Sequence, residues 1–244
     1  KLEGLDEPRI KGPANPKIPS VDLSPGDLND EPGILKDHAK SFVGSLMFLT
    51  RLGRPDIYQG VCVCARDVTK WTKTSDQQVA RVIRYLKKNG KSVLTSQIVP
   101  RDYREGTLKI IAKSDADFGG DCRNRKSTTG GFIVIVGKYG TYAPLQWICR
   151  LQRMTSTSTG EAELTAGTVV AKELMSASVL MELLLGRQLE HKLYLDAMCA
   201  IDAIKIGFST KMRYMLKTKG ISLMWLHDCV RGWLAYVPSQ YNTA

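Results

Sequence analysis

Several familiar signatures are missing from this chain. Its six cysteines, at 62, 64, 122, 149, 199 and 229, never form a C-x-x-C pair, and six in 244 residues are too few for a secreted disulfide scaffold. They are expected to be reduced thiols of an intracellular protein. The three histidines, His38, His191 and His227, are isolated from one another, so no Ser/His/Asp or Cys/His grouping emerges; His227 is expected to cap or face solvent near a helix end. Gly119-Gly120 and Gly130-Gly131 lack the strand-Gly-x-Gly-helix setting of a nucleotide loop and are expected in turns. The longest apolar stretch, 174–185, is interrupted by Ser and Glu and falls short of a membrane span. No charged segment leads into an apolar core at the start, so a soluble protein is expected.

Acidic side chains are also scarce. Against 35 Lys and Arg there are 24 Asp and Glu, a formal charge of +11. Such a surface concentrates polyanions and speeds their encounter, which makes nucleic acid the first partner to consider; a generally basic surface kept soluble by repulsion is the plain alternative.

The composition changes along the chain. Residues 1–33 hold six of the ten prolines and can sustain neither a helix nor a ladder, so they are expected to form an extended arm ordered by another surface. Residues 34–91 read as a small helical bundle: 41–50, 58–66 and 75–88, the last with Ser75 as its N-cap and Gly90 just beyond its end. On that third helix Val79, Val82, Ile83 and Leu86 share one stripe, and Cys62-x-Cys64 is expected on a packed helix. From 92 onward strands are expected at 92–99, 107–114, 131–136 and 141–149, then a helix at 160–185, a strand at 192–196, helices at 198–206 and 217–229, and a strand at 233–237. This order is α/β, and 113–237 is expected to form a mixed five-stranded sheet with the 160–185 helix packed on it. Trp71, Trp147, Trp225 and Trp233 are expected in core or interface positions, with an exposed one free to stack on a base.

The acids that remain are placed where chemistry gathers. Asp115-Ala116-Asp117 closes the alternating run TLKIIAKS, and Asp196 closes the short strand KLYL just before a helix. At 100° per residue, Gly167, Val170, Leu174, Met181 and Leu185 lie within about 40° of Glu163, whereas Glu161 shares its side with Thr165, Thr168 and Lys172. Glu163 is therefore expected to face the sheet and Glu161 to face water. A carboxylate on a buried stripe is costly unless it is paired or binds a cation, and carboxylates from separate elements are how a chain holds Mg²⁺. Taken singly, Asp115 and Asp196 also fit as a turn residue and a helix cap. Two basic groups flank these acids: Arg123, Arg125 and Lys126, and Lys211, Arg213, Lys217 and Lys219. They fit phosphate contacts and solvated loops equally well.

The blocks SDADFGGD (114–121), KSTTGGFIVIVG (126–137), STSTGEAEL (156–164), LYLDAMCAIDA (193–203) and AYVPSQYNTA (235–244) resemble the ribonuclease H domain of copia-type LTR retrotransposon polyproteins. SFVGSLMFLTRLGRPDIYQGV (41–61) and VARVIRYLKKNG (79–90) resemble the segment that joins the reverse transcriptase palm to that domain. The resemblance covers about 37–244. It implies a ribonuclease H-like fold over 92–244, with Asp115, Glu163 and Asp196 as ligands of two Mg²⁺ (or Mn²⁺) ions and as catalytic residues. The activity implied is hydrolysis of the RNA strand of RNA/DNA hybrids; Asp117 and Asp121 belong to the motif but are peripheral.

The chain departs from this family in three places. The family's fourth carboxylate would follow Ala244 directly, Lys219-Gly220-Ile221 stands where Lys-His before Ile is common, and the polymerase's paired aspartates are absent from these residues. A site one acid short is expected to bind metal weakly or hold a single ion, and to cleave poorly. A captured, inactive retroelement fragment serving as a subunit of a larger protein assembly is the alternative, and the Pro-rich arm would suit it.

Overall fold

The computed structural model describes residues 14–17, 31–121 and 123–242. Most of the proline-rich arm lies outside them. The chain divides into two compact units, Lys1–Leu94 and Thr95–Ala244.

The first unit packs three helices, α1 (Ala39–Leu52), α2 (Tyr58–Arg66) and α3 (Lys73–Lys88). Pro55 fixes the backbone of a single 3-10 turn, Pro55–Ile57, that feeds α2. Val43 and Leu46 of α1, Val61 and Cys64 of α2, and Val79 and Val82 of α3 meet around Trp71 and Ile57, while Ile83 and Leu86 pack at the edge. Burial pushes the Cys64 thiol up to about 12, so it is a packing group and not a nucleophile. Ser75 is not the N-cap of α3. Thr72 takes that position and Ser75 is the third helical residue; each side chain meets the other's backbone in a capping box. The Ser75 hydroxyl also donates to Asp67 Oδ2 at 3.1 Å, an anchor outside the helix that sequence spacing does not show.

The segment 92–99 does not form the expected strand. It makes a single bridge, Gln97 to Tyr142. Val93 and Ile98 stay 74% and 70% exposed, so these apolar residues find no sheet to pack on. A short helix, α4 (Pro100–Arg104), follows instead.

The sheet begins with an antiparallel meander, β1 (Lys109–Asp117), β2 (Thr128–Val136) and β3 (Tyr142–Leu151). Helix α5 (Thr159–Leu185) crosses over it, and β4 (Glu190–Leu195) then pairs parallel with β1. Helices α6 (Met198–Ile206), α7 (Met215–Lys219) and α8 (Leu223–Val230) lead to β5 (Leu234–Tyr236), parallel to β4. The strand order is β3-β2-β1-β4-β5. The single helix expected at 217–229 is two, because Gly220 adopts a left-handed φ of 66° and Ser222 starts a new helix by accepting from Trp225 N.

Ile110, Ala112, Ile133, Leu164, Val170 and Leu174 join the sheet to the inner side of α5. The approach is close. A Cβ at Gly131 would stand 2.7 Å from Val170 Cγ2, so β2 needs glycine there. Although α5 has 27 residues, no helix among those described is long and apolar enough to cross a membrane.

Asp102 fastens α4 to the β2–β3 turn. Fully buried, it accepts from Thr107 Oγ1 (2.5 Å), Tyr139 N (2.9 Å) and Thr141 N (3.1 Å). Burial alone would raise its pKa, but these donors outweigh burial and hold it at about 2. A Cβ at Gly137 would come within 2.2 Å of Asp102 Cγ, and that carboxylate has nowhere to swing. Gly137→Ala is expected to lower the unfolding midpoint by several degrees in thermal denaturation, an overpacking penalty of the usual size.

Candidate metal centre

The parallel pairing of β1 and β4 places Lys113 opposite Tyr194. Two residues on, Asp115, two residues before the end of β1, and Asp196, just past the end of β4, come out side by side. Glu163 joins them from the second turn of α5. One carboxylate oxygen from each lies within 4.8 Å of the others, with Glu163 buried and the two aspartates half-buried. The sheet thus collects three acids from distant parts of the chain at the carboxyl end of its strands, where open α/β sheets bind ligands.

The oxygens are individually fixed. Glu163 Oε1 accepts from Ala116 N at 3.1 Å, which turns the side chain toward the sheet as its helical phase requires. Glu163 Oε2 is buried and has no hydrogen-bond partner. Asp196 Oδ2 accepts from Ser239 Oγ at 2.7 Å, and Asn242 Nδ2 donates to Ser114 O at 2.8 Å, so the segment after β5 lies against both strands of the site.

Three negative charges in a partly dry pocket repel. Burial, then Asp196 and Asp115, push Glu163 up to about 8, against the opposing Ala116 N–H. Asp115 is raised for the same reasons, burial first and then Asp196 and Asp117. A cation would relieve this repulsion and satisfy the orphan Glu163 oxygen. An all-oxygen set of carboxylates suits a hard divalent ion, so the residues present fit a metal of that class.

Glu161 does not face water. It is 1% exposed and accepts from Thr157 N and Oγ1 (2.6 Å each), Tyr214 Oη (3.1 Å) and Lys219 Nζ (2.9 Å). Burial would raise its pKa, but the Thr157 and Lys219 hydrogen bonds hold it at about 2. Helical phase separated the two glutamates correctly; what it omitted is that α7 and the turn before α5 cover the other side. The Ser158-x-x-Glu161 spacing, with Ser158 Oγ accepting from Glu161 N, was the available signal for an engaged carboxylate.

Lys219 consequently leaves the phosphate-contacting group. Its side chain is 6% exposed, ion-paired to Glu161 and donating to Ser156 Oγ. Arg123, Arg125, Lys211, Arg213 and Lys217 are exposed, and Lys126 is half-buried. Asp121 shapes the β1–β2 turn by accepting from Arg123 N and Asn124 N, which leaves it outside the acid cluster. His227 ties α8 to the end of α6 through Lys205 O at 2.8 Å, and His191 stacks on Trp233 with ring centroids 4.5 Å apart. Sequence reasoning missed Ser239 and Asn242 as neighbours of the centre, because only the return of the chain after β5 brings them there.

No protein-family profile matches the chain. It is 29% identical over 216 residues, 86% of its length, to the retrovirus-related Pol polyprotein from transposon TNT 1-94 of Nicotiana tabacum, of which it spans 15%. It is 30% identical over 140 residues to a secreted RxLR effector protein 161 of Plasmopara viticola, covering 57% of this chain and 90% of that one. Among solved structures, an LC11 ribonuclease H1 in complex with an RNA/DNA hybrid overlaps 55% of this chain and 89% of its own at 18% identity and a TM-score of 0.37. That overlap is loose, and the fold is read instead from strand order and direction. These define a ribonuclease H-like α/β domain, with three carboxylates placed to bind a metal. Its homologues include retrovirus-related Pol polyproteins from copia-type transposons, and it spans 15% of the TNT 1-94 polyprotein and 10% of that from RE2 of Arabidopsis thaliana.

Proposed function

We propose that the second unit hydrolyses the RNA strand of RNA/DNA hybrids with Mg²⁺ or Mn²⁺. The observation that carries this reading is the buried, unpartnered Oε2 of Glu163, which stands beside Asp115 and Asp196 with its pKa raised to about 8. Carboxylates held together against their own repulsion need a cation to offset it. Asp115, Glu163 and Asp196 would hold the metal. Bound there, it would supply a water nucleophile at neutral pH and charge stabilisation for the leaving oxygen.

The chain's own part is positional. Ala116 N–H orients Glu163, and Ser239 holds one oxygen of Asp196. Arg123, Arg125, Lys211, Arg213 and Lys217 would contact phosphates without reading sequence. The 2′-hydroxyls in the wide minor groove would mark the RNA strand. Reduced thiols, the expected state of the cysteines, would suit an intracellular setting.

The direct test is cleavage of a labelled hybrid during a Mg²⁺ and Mn²⁺ titration, with single-stranded RNA and DNA duplex as controls. Metal-dependent cleavage confined to the hybrid's RNA strand is expected. Metal binding without cleavage would instead favour a captured structural subunit. The effector-named relative, nine-tenths covered by this chain, favours that second reading, because it places such a segment in a protein without the rest of the polyprotein.

A further inference from the structure

Helix α5 has two differently used sides. Glu163 faces the sheet, and about half a turn round the helix Thr165, Thr168 and Lys172 face away from the metal centre. That outer side forms one wall of a cleft of about 530 Å³, closed by the end of β3 and by the 218–221 turn. The wall and rim carry three exposed cations, Arg150, Arg153 and Lys172.

These charges are weakly engaged. Arg150 stands 3.7 Å from Glu173, which already accepts from Gln146 Nε2 at 3.0 Å. Arg153 has no ion-pair partner among the described residues, and the Lys172 ammonium lies 5.3 Å from the Trp225 ring without a carboxylate. Lys219 lines the floor, but Glu161 neutralises it. Glu173 is therefore the one acid opposing three cations.

The remaining polar groups narrow the ligand class. Thr165 and Thr168 donate their hydroxyl protons to Glu161 O and Leu164 O, both at 2.8 Å, and Thr218 donates to Tyr214 O at 3.1 Å. Their donors are used within the protein, so what the cleft offers a ligand is cationic donors beside apolar wall. A ligand that only accepts hydrogen bonds and carries repeated negative charge matches this. The turn at Gly220 leaves one side open, with nothing within 4 Å of a Cβ built there. An open trough suits a chain passing through better than an enclosed small molecule.

We propose that this cleft binds the phosphodiester backbone of a nucleic-acid strand, independent of sequence, at a point separated from the metal centre by the width of α5. The proposal rests on the nucleic-acid part of the reading above but not on hydrolysis. Its cations are distinct from the two basic groups that flank the acids in sequence, and it gives the strand a second hold that does not depend on metal.

The test measures binding of the full chain to a fluorescent RNA/DNA hybrid and to a single-stranded DNA, in EDTA, across a salt series. The variants are the triple R150Q/R153Q/K172Q and a charge-keeping R150K/R153K. The triple variant is expected to bind at least tenfold more weakly. Its slope of log K against log salt should be shallower by about 0.9 per lost duplex contact. Its unfolding midpoint and Mn²⁺ affinity should not change. The charge-keeping variant should retain the slope, because a phosphate needs only a point charge there.

Parental affinity and slope in the triple variant, on both oligonucleotides, would overturn the cleft even if the hybrid is cleaved. Loss of single-strand binding in the triple variant, with no hybrid cleavage by the parent, would uphold the cleft and remove the hydrolase reading. Failure of the parent to bind either oligonucleotide would overturn it as well, and binding of an aspartate-rich peptide would then reassign the surface.

Discussion

Glu163→Gln is expected to abolish hybrid cleavage and, at alkaline pH, to stabilise the metal-free protein. Glu163 is raised in the folded state from an ordinary 4.5 to about 8, by burial first and then by Asp196 and Asp115. A raised carboxyl binds its proton more tightly folded than unfolded. Its contribution is therefore fully present below about 4.5 and is lost as pH rises through about 8. Above that, the ionised group opposes folding. Glutamine keeps an oxygen for Ala116 N and carries no charge, so the variant should show no such decline. The difference should reach about 2–4 kcal/mol near pH 9, discounted for solvent at the open side of the site. Urea unfolding of the metal-free parent and variant between pH 5 and 9 measures this directly.

Divalent metal should reverse the order. Mg²⁺ should raise the midpoint of the parent and leave the variant's unchanged, since stabilisation by a ligand scales with its affinity for the folded state. Cleavage should fall by at least about a thousandfold, the scale of losing a main electrostatic contact to the reacting centre. An equal pH dependence in parent and variant would mean that the three carboxylates do not share one field.

Lys219→Met is expected to destabilise the protein by about 3–5 kcal/mol, because it strands the Glu161 carboxylate in the interior. The two side chains are 6% and 2% exposed, so water cannot replace the missing ammonium. Adding Glu161→Gln to Lys219→Met should recover most of the loss, as removing both charges costs less than orphaning one. The pH signature is opposite in sign to that of Glu163. Glu161 is held at about 2 by the Thr157 and Lys219 hydrogen bonds in spite of burial, so its stabilisation is present above about 4.5 and lost as pH falls through about 2. Chemical denaturation at pH 7 and at pH 3, on both variants, tests the pair. A single mutant within experimental error of the parent would show that the Lys219–Glu161 pair is dispensable.

Local pattern carried much of this protein. The alternation over β1 and the apolar stripe of α5 each reflect a face that must be buried, and such a face has a period the sequence displays. The period of α5 also picked out Glu163 from Glu161 as the one turned toward the sheet. Patterns failed where burial depends on a partner. Residues 92–99 read as a strand by composition but pair at one bridge only, Gln97 to Tyr142 at the start of β3. Ser75 has the chemistry of an N-cap, yet its hydroxyl is drawn to Asp67 and the cap falls to Thr72.

By itself, then, the sequence determined the strands and helices with one-sided periodicity, the excess of positive charge, and the three acids at the ends of elements. Periodicity and charge are local properties, written residue by residue. Only the tertiary structure decided that Asp115, Glu163 and Asp196 come within 4.8 Å, that Ser239 holds Asp196, that Lys219 turns inward to Glu161, and that Arg150, Arg153 and Lys172 share one cleft. Those outcomes depend on crossovers that bring together residues tens of positions apart. They also depend on the cost of leaving a charge dry, which is set by the elements that happen to cover it.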